Sequence, residues 1–436
     1  MSLTLFGVPG LRRVLAAIAL FVVACLVLGS CGNNYSGGSS GGGTGSNTSG
    51  VAFRVFVSNP LFPSGTGNAP VLNIVNATTD LLVPAVVGLG GTISNPGLMA
   101  ITPDKTKTLV FSSAENRIAV IGNASEASAG SISLPGATKS MATAPDNVTA
   151  YVAVPTAAIA ASSPGAVEVL DVSSGKIKST IPVPNAQTVV MSQKGGFVLA
   201  FGDASNATIV TTANVGTNAP AVNMVGGFDH PVYAVFSPDD TKAYVLECGA
   251  ECGGTTAAVT VLDLTTMTAG TRIPVPAATV GFLDGTTIFV VGTPPGTSCS
   301  GTAATTCGEL TAISTQSLTV NGASALVSDG YHDRMVLTGD GQIYIGANHC
   351  TNISNPASGG SPGEVRGCLS IFNTADGTVT MPPDNGDVTG IQSIVSRKVV
   401  YVVEGNQVRV YSTTTNTLQT TQVDIVGPVV AVKLVD

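Results

Sequence analysis

From residue 51 onward the chain repeats one pattern of short apolar strands, and this repeat constrains the fold more than any other feature of the sequence. Each clear unit has an apolar strand, a Pro-Asp turn and a second strand with an aromatic or aliphatic residue at its centre. The pattern is clearest in Met99–Phe111, Met141–Ala153 and Ala234–Leu246. A third and a fourth strand follow, as in Ala166–Val172, Lys178–Val183, Ala258–Leu264 and Thr271–Val275. The repeat predicts an all-β protein built from four-stranded units.

The second strand of the unit can be counted eight times along the chain. Its central residues are Val55, Leu109, Tyr151, Val198, Tyr244, Phe289, Tyr344 and Tyr401. A period in the forties to fifties with four strands per unit is the signature of a β-propeller. Eight second strands predict eight blades. Seven is the alternative, if the weakly patterned unit around Val189–Val225 or the first unit is not an independent blade.

The two ends of the repeated region complement each other. The region opens with a second strand at Phe53–Val57 and finishes with Val429–Val435, which matches a first strand. Pairing of these two strands in one blade would close the ring and remove the exposed edges of an open sheet. We therefore predict a single β-propeller domain over residues 51–436.

One unit carries a family resemblance. The segment Phe236–Val245, followed by Val259–Asp263, resembles the YVTN-type repeat of bacterial surface propellers, and three units match it well. The resemblance implies a β-propeller of the lactonase-like superfamily and is specific for fold more than for function. The chain has no tryptophan. This argues against WD40 repeats and against the eight-bladed quinoprotein dehydrogenases, whose blades dock through tryptophans.

Composition narrows the class of protein further. The 436 residues carry 18 Lys+Arg against 26 Asp+Glu, a net charge of −8 with only 10% charged residues, where globular chains carry about 25%. This balance excludes a nucleic-acid partner bound through counterion release. The 52 glycines, 25 prolines and 44% hydrophobic residues favour a large core with many turns over helical bundles, coiled coils or disorder.

Residues 1–30 have the pattern of a secretory signal peptide. Arg12 and Arg13 form a basic start, and Val14–Leu28 is an apolar run without charge, short for a membrane-spanning helix. The segment Leu28–Cys31 resembles the bacterial lipobox. That resemblance implies cleavage before Cys31, a diacylglyceryl group on its thiol and acylation of its amine. An ordinary cleaved signal or an uncleaved anchor is the alternative.

Residues 31–50 predict an anchor followed by a tether. After the lipidated Cys31 the segment is almost wholly Gly, Ser, Asn and Thr, which is typical of a flexible linker. Several acyl chains, at about 0.8 kcal/mol per buried CH₂, hold a protein stably on a bilayer. Gly32 after the cysteine favours outer-membrane sorting in a Gram-negative host. We expect a monomer, lipid-anchored in the bacterial cell envelope at the outer membrane or cell surface.

The remaining six cysteines of the mature chain fall in pairs between the second and third strands of three consecutive units. We expect three loop-closing disulfides, namely Cys248–Cys252, Cys299–Cys307 and Cys350–Cys368. Each would stabilise the fold by about 2–3 kcal/mol. A zinc site at the first pair would need two further ligands, and an exported compartment oxidises thiols. We therefore predict no metal and no cofactor.

The three histidines lie where strands meet loops. Residues before a first strand and after a second strand lie on one face of a propeller, so several polar side chains are expected at one channel mouth. The candidate binding residues are His230, His332, Asp333, Arg334 and His349, with Asp229 and Glu247 nearby. The alternative is that they are solvated loop residues and turn formers, because no spacing motif supports a site. We assign no catalytic residue.

These observations favour a non-enzymatic envelope propeller. It would present its stapled loops to a protein or glycan partner through one face. The alternative is a lactonase-like hydrolase with its active site at the channel mouth. Only the group of His332, Asp333 and Arg334 suggests such chemistry.

Overall fold

The computed structural model of the protein describes residues 49–64, 67–89, 93–217, 221–296, 307–350, 353–354, 365–382 and 386–436. The predictions for the signal peptide, for Cys31 and its tether to residue 48, and for Cys299 lie outside these ranges. The described strands form eight antiparallel sheets of at least four strands, arranged in a ring. The chain is therefore an eight-bladed β-propeller, as predicted.

The first four blades follow one another along the sequence. Blade 1 contains β1 (Arg54–Ser64), β2 (Gly67–Asn76), β3 (Leu81–Gly88) and β35 (Val432–Leu434). Blade 2 contains β4 (Pro96–Ile101), β5 (Lys107–Ser112), β6 (Arg117–Gly122) and β7 (Ala127–Ser133). Blade 3 contains β8 (Ser140–Thr143), β9 (Thr149–Val154), β10 (Ala166–Asp171) and β11 (Lys176–Pro182). Blade 4 contains β12 (Thr188–Met191), β13 (Phe197–Phe201), β14 (Asn206–Thr211) and β15 (Val222–Gly226).

The other four blades complete the ring. Blade 5 contains β16 (Pro231–Phe236), β17 (Lys242–Glu247), β18 (Ala258–Asp263) and β19 (Thr268–Pro274). Blade 6 contains β20 (Val280–Asp284), β21 (Thr287–Gly292), β22 (Gly308–Ser314), β23 (Thr319–Val320) and β24 (Ala325–Val327). Blade 7 contains β25 (Tyr331–Leu337), β26 (Gln342–Asn348), β29 (Leu369–Asn373) and β30 (Val379–Thr380), with a separate hairpin of β27 (Ile353–Ser354) and β28 (Val365–Arg366). Blade 8 contains β31 (Val388–Ile394), β32 (Val399–Glu404), β33 (Gln407–Ser412) and β34 (Thr417–Leu418).

Helical structure in the described residues is limited to short 3₁₀ turns. They span Thr212–Asn214, Gly249–Cys252 and Val395–Arg397. Within the same ranges, no helix has the length and apolar character that crossing a membrane requires.

Ring closure occurs in blade 1. Strand β35 pairs antiparallel with β1, with Val55 opposite Leu434 and Val57 opposite Val432. The innermost strand of this blade therefore comes from the far end of the repeated region, as predicted. All eight predicted second strands are also present, so the count of eight blades is confirmed and the alternative of seven is wrong.

The core lies between adjacent blades. Because side chains alternate between the two faces of a strand, each sheet buries apolar residues against both of its neighbours. At the seam between blades 8 and 1, Val55 and Val57 pack in one cluster with Tyr401, Val403 and Val432. The packing between blades stabilises the ring and places the eight innermost strands around a central channel.

The Pro-Asp turns lie at the end of the ring opposite the loops that contain the cysteines, and they are structural. The Asp146 carboxylate accepts hydrogen bonds from the backbone N–H groups of Val148 and Thr149, at 2.9 and 2.8 Å. Asp239 accepts bonds from the Ser237 hydroxyl and the Thr241 N–H, which lower its pKa to about 2. Such turns fix the hairpin between first and second strands in the blades that carry them.

Candidate functional site

The innermost strands enclose a channel of about 1280 Å³. Most of its wall is apolar, with side chains such as Met141, Val190 and Val280. The acidic, basic and histidine side chains on the wall are Lys105, Lys139, Asp203, His230, Asp333, Arg334 and Lys433. A concave cavity that combines apolar walls with polar groups has the general character of a small-molecule site.

Asp229 organises the loop at the channel mouth in blade 5. One of its carboxylate oxygens accepts the backbone N–H groups of Thr255 and Thr256, both at 2.8 Å, and the Thr255 hydroxyl at 2.6 Å. The other lies 2.9 Å from Nδ1 of His230, which lines the channel. Hydrogen bonds from the Thr255 hydroxyl and His230 hold the pKa of Asp229 well below its usual range. Asp229 therefore positions the loop as a permanently charged acceptor.

The disulfide Cys248–Cys252 staples the same loop. Its Cα atoms lie 5.7 Å apart across a single 3₁₀ turn. The Cys248 N–H donates to the His230 carbonyl at 3.1 Å, so the staple is fixed to the entry of the innermost strand. Gly254 leaves no room for a larger residue, because a Cβ there would lie 2.1 Å from Oδ1 of Asp229. The disulfide predicted for this loop is confirmed.

Glu251, inside this staple, connects blade 5 to blade 6. Its Oε2 accepts the Thr293 N–H at 2.9 Å. Burial raises the pKa of Glu251 to about 7, so the side chain changes charge near neutral pH. Sequence reasoning missed this residue, because its burial depends on the neighbouring blade.

Glu247 is structural and does not face the channel. The side chain is fully buried, and its ion pair with Arg272 has an N–O distance of 3.0 Å. It also accepts the Asp229 N–H at 2.6 Å and the Thr260 hydroxyl. These bonds satisfy a buried charge, which is otherwise costly.

Asp333 and Arg334 form an ion pair on the channel wall in blade 7. The Asn348 amide donates to Asp333 at 3.0 Å, and Nη1 of Arg334 lies 3.4 Å from the Val388 carbonyl oxygen. Burial raises the pKa of Asp333, although the Arg334 charge opposes this shift. The structure therefore brings His230, Asp333 and Arg334 to one channel.

The placement predicted for His332 is wrong. The side chain is 0% exposed and packs between blades 6 and 7, where a Cβ on Gly308 would lie 2.6 Å from its Cε1. Side chains alternate along β25, so Tyr331 and Asp333 face the channel while His332 points into the core between the blades. The backbone of Ser328 lies near the ring, but neither ring nitrogen forms a hydrogen bond of good geometry within the described residues. Burial lowers the pKa of His332 to about 4, so the ring is neutral.

His349 also lies outside the channel lining. Its side chain is 89% exposed, and its ring nitrogen is 3.7 Å from the Asp387 carboxylate. The His349 N–H donates to Asp387 at 2.7 Å, and the residue has a positive φ of 56°. It serves as a turn residue at the end of β26.

The disulfide Cys350–Cys368 staples the loop that follows β26 and is also confirmed. Its Cα atoms lie 5.7 Å apart. Tyr331, at the start of the innermost strand β25, pairs with Asn348, at the end of the second strand β26. The staple begins two residues after Asn348, so it lies at the end of the ring where the innermost strand begins. The staple in blade 5 lies at the same end of the ring, because Pro231, at the start of β16, pairs with Glu247, the residue before Cys248. Both staples therefore lie at the mouth end of the channel.

Lys433 is a charged residue on the channel wall that sequence reasoning missed. It lies half-buried on β35, opposite Phe56 of β1. Burial, and secondarily the charge of Arg334, lower its pKa to about 8. The sequence signal was a single lysine within the apolar segment Val429–Val435. In the described ranges, no group of three or more His, Cys, Asp or Glu side chains is arranged to hold a metal ion.

Comparison with known proteins supports the fold. No family model matches the chain, and no curated protein sequence matches it. Hydrazine synthase of Kuenenia stuttgartiensis is similar in structure, with a TM-score of 0.54, 13% identity, and coverage of 76% of this chain and 97% of that chain. Dihydro-heme d1 dehydrogenase NirN in complex with DHE has a TM-score of 0.60, 11% identity, and coverage of 88% and 75%. At such identities the likeness extends to the β-propeller fold alone.

Proposed function

We propose that the protein is a lipid-anchored component of the bacterial cell envelope whose propeller is a non-enzymatic binding scaffold. The partner, a protein or a glycan, contacts the stapled loops at the mouth end of the ring. The observation that carries this proposal is the placement of two disulfides, Cys248–Cys252 and Cys350–Cys368, at that same end.

Fixed loops favour binding because less conformational entropy is lost when a partner is bound. In blade 5 the disulfide, the three bonds that Asp229 accepts from Thr255 and Thr256, and the Glu251 contact to Thr293 all restrain one loop. A loop that served only to connect two strands would not need this number of restraints. The restraints therefore support a preformed recognition surface.

The positions of the polar side chains favour binding over hydrolysis. The hydrolase alternative used His332, Asp333 and Arg334 together, and the imidazole of His332 is buried away from the channel. Asp333 is engaged with Arg334 and Asn348. A general base needs hydrogen-bond access to its substrate, which this histidine lacks.

The lipobox at Leu28–Cys31 and the resemblance to YVTN-type surface propellers support an envelope location. The Gly- and Ser-rich segment up to residue 50 would let the ring stand away from the bilayer. The acidic chain, with a net charge of −8, gains no attraction to an anionic membrane surface. Attachment therefore depends on the lipid.

Site-specific photocrosslinking in cells tests the scaffold proposal. A crosslinking amino acid at exposed Thr256, in the stapled loop, should give a discrete adduct with a partner. The matched control is exposed Ser173, in the turn between β10 and β11 at the opposite end of the ring. We expect no adduct from the control position.

The double variant Cys248→Ser/Cys252→Ser should reduce the adduct at Thr256 several-fold, because the loop loses its fixed shape. Adducts from Ser173 with none from Thr256 would contradict the proposed face. A hydrolytic activity of the purified protein that is lost in Asp333→Asn would replace the scaffold with the enzyme.

A further inference from the structure

The outermost strand of blade 6 is interrupted. Strands β23 and β24 both pair with β22, and together they take the place that a single fourth strand has in the other blades. Residues 321–324, between the two strands, lie outside the ladder of paired residues. They begin with Asn321–Gly322, an asparagine followed directly by a glycine. The interruption therefore places this dipeptide where strand pairing does not hold the backbone.

Asn321 and Gly322 are open to solvent and lightly restrained. Both residues are exposed. The Asn321 N–H donates to the Ala312 carbonyl at 2.8 Å, which fixes the residue on its N-terminal side. Within the described residues, neither the Asn321 side chain nor the Gly322 N–H forms a hydrogen bond. The side-chain amide of Asn321 and the backbone nitrogen that follows it are therefore free to react with each other.

Gly322 removes the usual steric barrier to this reaction. Its φ is 82°, a left-handed conformation that residues with a side chain rarely adopt. A Cβ built on Gly322 would meet nothing within 4 Å, so the surroundings of the residue are open as well. A side chain at this position would crowd the approach of the backbone nitrogen to Cγ of Asn321, and glycine leaves that approach open.

We propose that Asn321 is a site of spontaneous covalent modification, at which its side-chain amide is converted to a carboxylate. The Gly322 nitrogen attacks Cγ of Asn321, so that an N–Cγ bond forms and the Cγ–Nδ2 bond breaks. Ammonia leaves and carries away the proton of the attacking nitrogen. Water, the co-reactant, then opens the cyclic imide. Opening at Cγ gives aspartate, and opening at the main-chain carbonyl carbon gives isoaspartate, whose chain continues through Cβ.

The fold can accommodate either product. Isoaspartate lengthens the backbone by one methylene group, but it does so where the ladder is already interrupted, and pairing with β22 resumes at Ala325. Each conversion also adds one negative charge to the outer edge of blade 6, in a chain whose net charge is already −8. The modification marks the age of a molecule, and it does not depend on the proposed partner or on the stapled loops.

Ageing of the purified, folded protein at mildly alkaline pH, followed by peptide mapping with mass spectrometry, tests this site. We expect Asn321 to convert at least about tenfold faster than Asn406, which is also exposed but precedes Gln407. Both aspartate and isoaspartate should form, because direct hydrolysis of the side chain would give aspartate alone. The map also separates Asn321 from Asn385–Gly386, the same dipeptide, whose asparagine lies outside the described residues.

Gly322→Ala should slow the conversion of Asn321 at least about tenfold, because the new Cβ crowds the attacking nitrogen. Gly377→Ala is the matched control, because Gly377 has a similar φ of 73° and a Cβ there would also meet nothing within 4 Å. This variant introduces the same backbone strain in the turn between β29 and β30 and should leave the rate at Asn321 unchanged.

Circular dichroism would show that each variant is folded. Asn321→Gln keeps Gly322 and gives a second test, because its longer side chain forms the cyclic imide far more slowly and should stay unconverted over the same period. The proposal is overturned if Asn321 converts no faster than Asn406, if aspartate forms without isoaspartate, or if Gly322→Ala and Gly377→Ala behave alike.

Discussion

Arg54 and Asp436 lie 382 residues apart in the sequence, yet two hydrogen bonds of 2.7 and 2.6 Å join their side chains. The guanidinium also binds Glu126 of blade 2 at 2.8 Å and the Asn123 carbonyl at 2.7 Å. Only 4% of the Arg54 side chain is exposed. One buried cation therefore joins the first strand of the sequence, the neighbouring blade and the segment after the closing strand.

Arg54→Ala should destabilise the protein by about 3–5 kcal/mol, because it removes the positive charge that balances the buried Glu126 carboxylate. Urea unfolding followed by circular dichroism measures the change. Lys242→Ala, at an exposed position, is the control and should change stability by less than about 0.5 kcal/mol. A loss in Arg54→Ala as small as that of the control would show that the cluster does not stabilise ring closure.

His332→Leu should change how stability depends on pH. The pKa of the ring falls from 6.5 to about 4 on folding, so between these values the unfolded chain binds more protons. Stability of the parent should therefore fall as the pH is lowered from about 6.5 to 4, by up to about 3 kcal/mol from this residue. In the leucine variant that part of the loss disappears.

Urea midpoints of the parent and His332→Leu at pH 7.5 and pH 4.5 give the comparison. At pH 7.5 the variant should be nearly as stable as the parent, because the neutral ring forms no good hydrogen bond within the described residues. Equal pH dependence of the two proteins would contradict the buried, neutral state of His332.

Gly254→Ala should displace the stapled loop in blade 5. The new Cβ would lie 2.1 Å from Oδ1 of Asp229 and 2.6 Å from Nδ1 of His230, so one of these contacts must give way. We expect a loss of about 1–3 kcal/mol, typical of overpacking. Gly196→Ala is the matched control, because Gly196, like Gly254, has no positive φ and a Cβ there would meet nothing within 4 Å. A loss in Gly254→Ala as small as that in Gly196→Ala would argue against the Asp229 contact.

Mass spectrometry of a non-reduced digest should show Cys299 linked to Cys307, in addition to the two disulfides already described. The prediction follows from the repeat, because the third pair has the same place between second and third strands. A link between blades, or free thiols in protein isolated from the envelope, would disprove it.

Cys31→Ser should release the protein from membranes into the soluble fraction, because Cys31 is the residue that the resemblance to the lipobox marks for lipidation. Fractionation of cells that express each form measures the distribution. Cys25→Ser, within the predicted signal peptide, is the matched control and should leave the protein on the membrane. Retention of the cleaved Cys31→Ser form would contradict lipid anchoring.

The fold could be predicted because its evidence is local and repeated. Residues such as Tyr151, Tyr244 and Tyr401 recur at the centre of second strands, and each is buried in the structure. Ring closure could be predicted for the same reason, since Val429–Val435 has the pattern of a first strand. The pairing of cysteines followed from the positions of the loops in the repeat.

The site was harder to predict, because side-chain direction depends on the exact register of each strand. The pairing of β25 with β26 shifts register between His332 and Arg334. Within these three residues the side chains change from the core, at His332, to the channel wall, at Arg334. Lys433 reaches the channel only after β35 pairs with β1, so its surroundings come from distant parts of the sequence. Such long-range placement leaves no local pattern to detect.

The pairing of β1 with β35 affects folding during synthesis, because β35 follows all the other described strands in the sequence. Seven blades have all their strands before residue 432 emerges, whereas β1 has no inner neighbour until then. During that interval its unpaired edge could recruit another chain. A nascent molecule is thus exposed to aggregation until β35 has been synthesised, and a chaperone that covers this edge would raise the yield of the native ring.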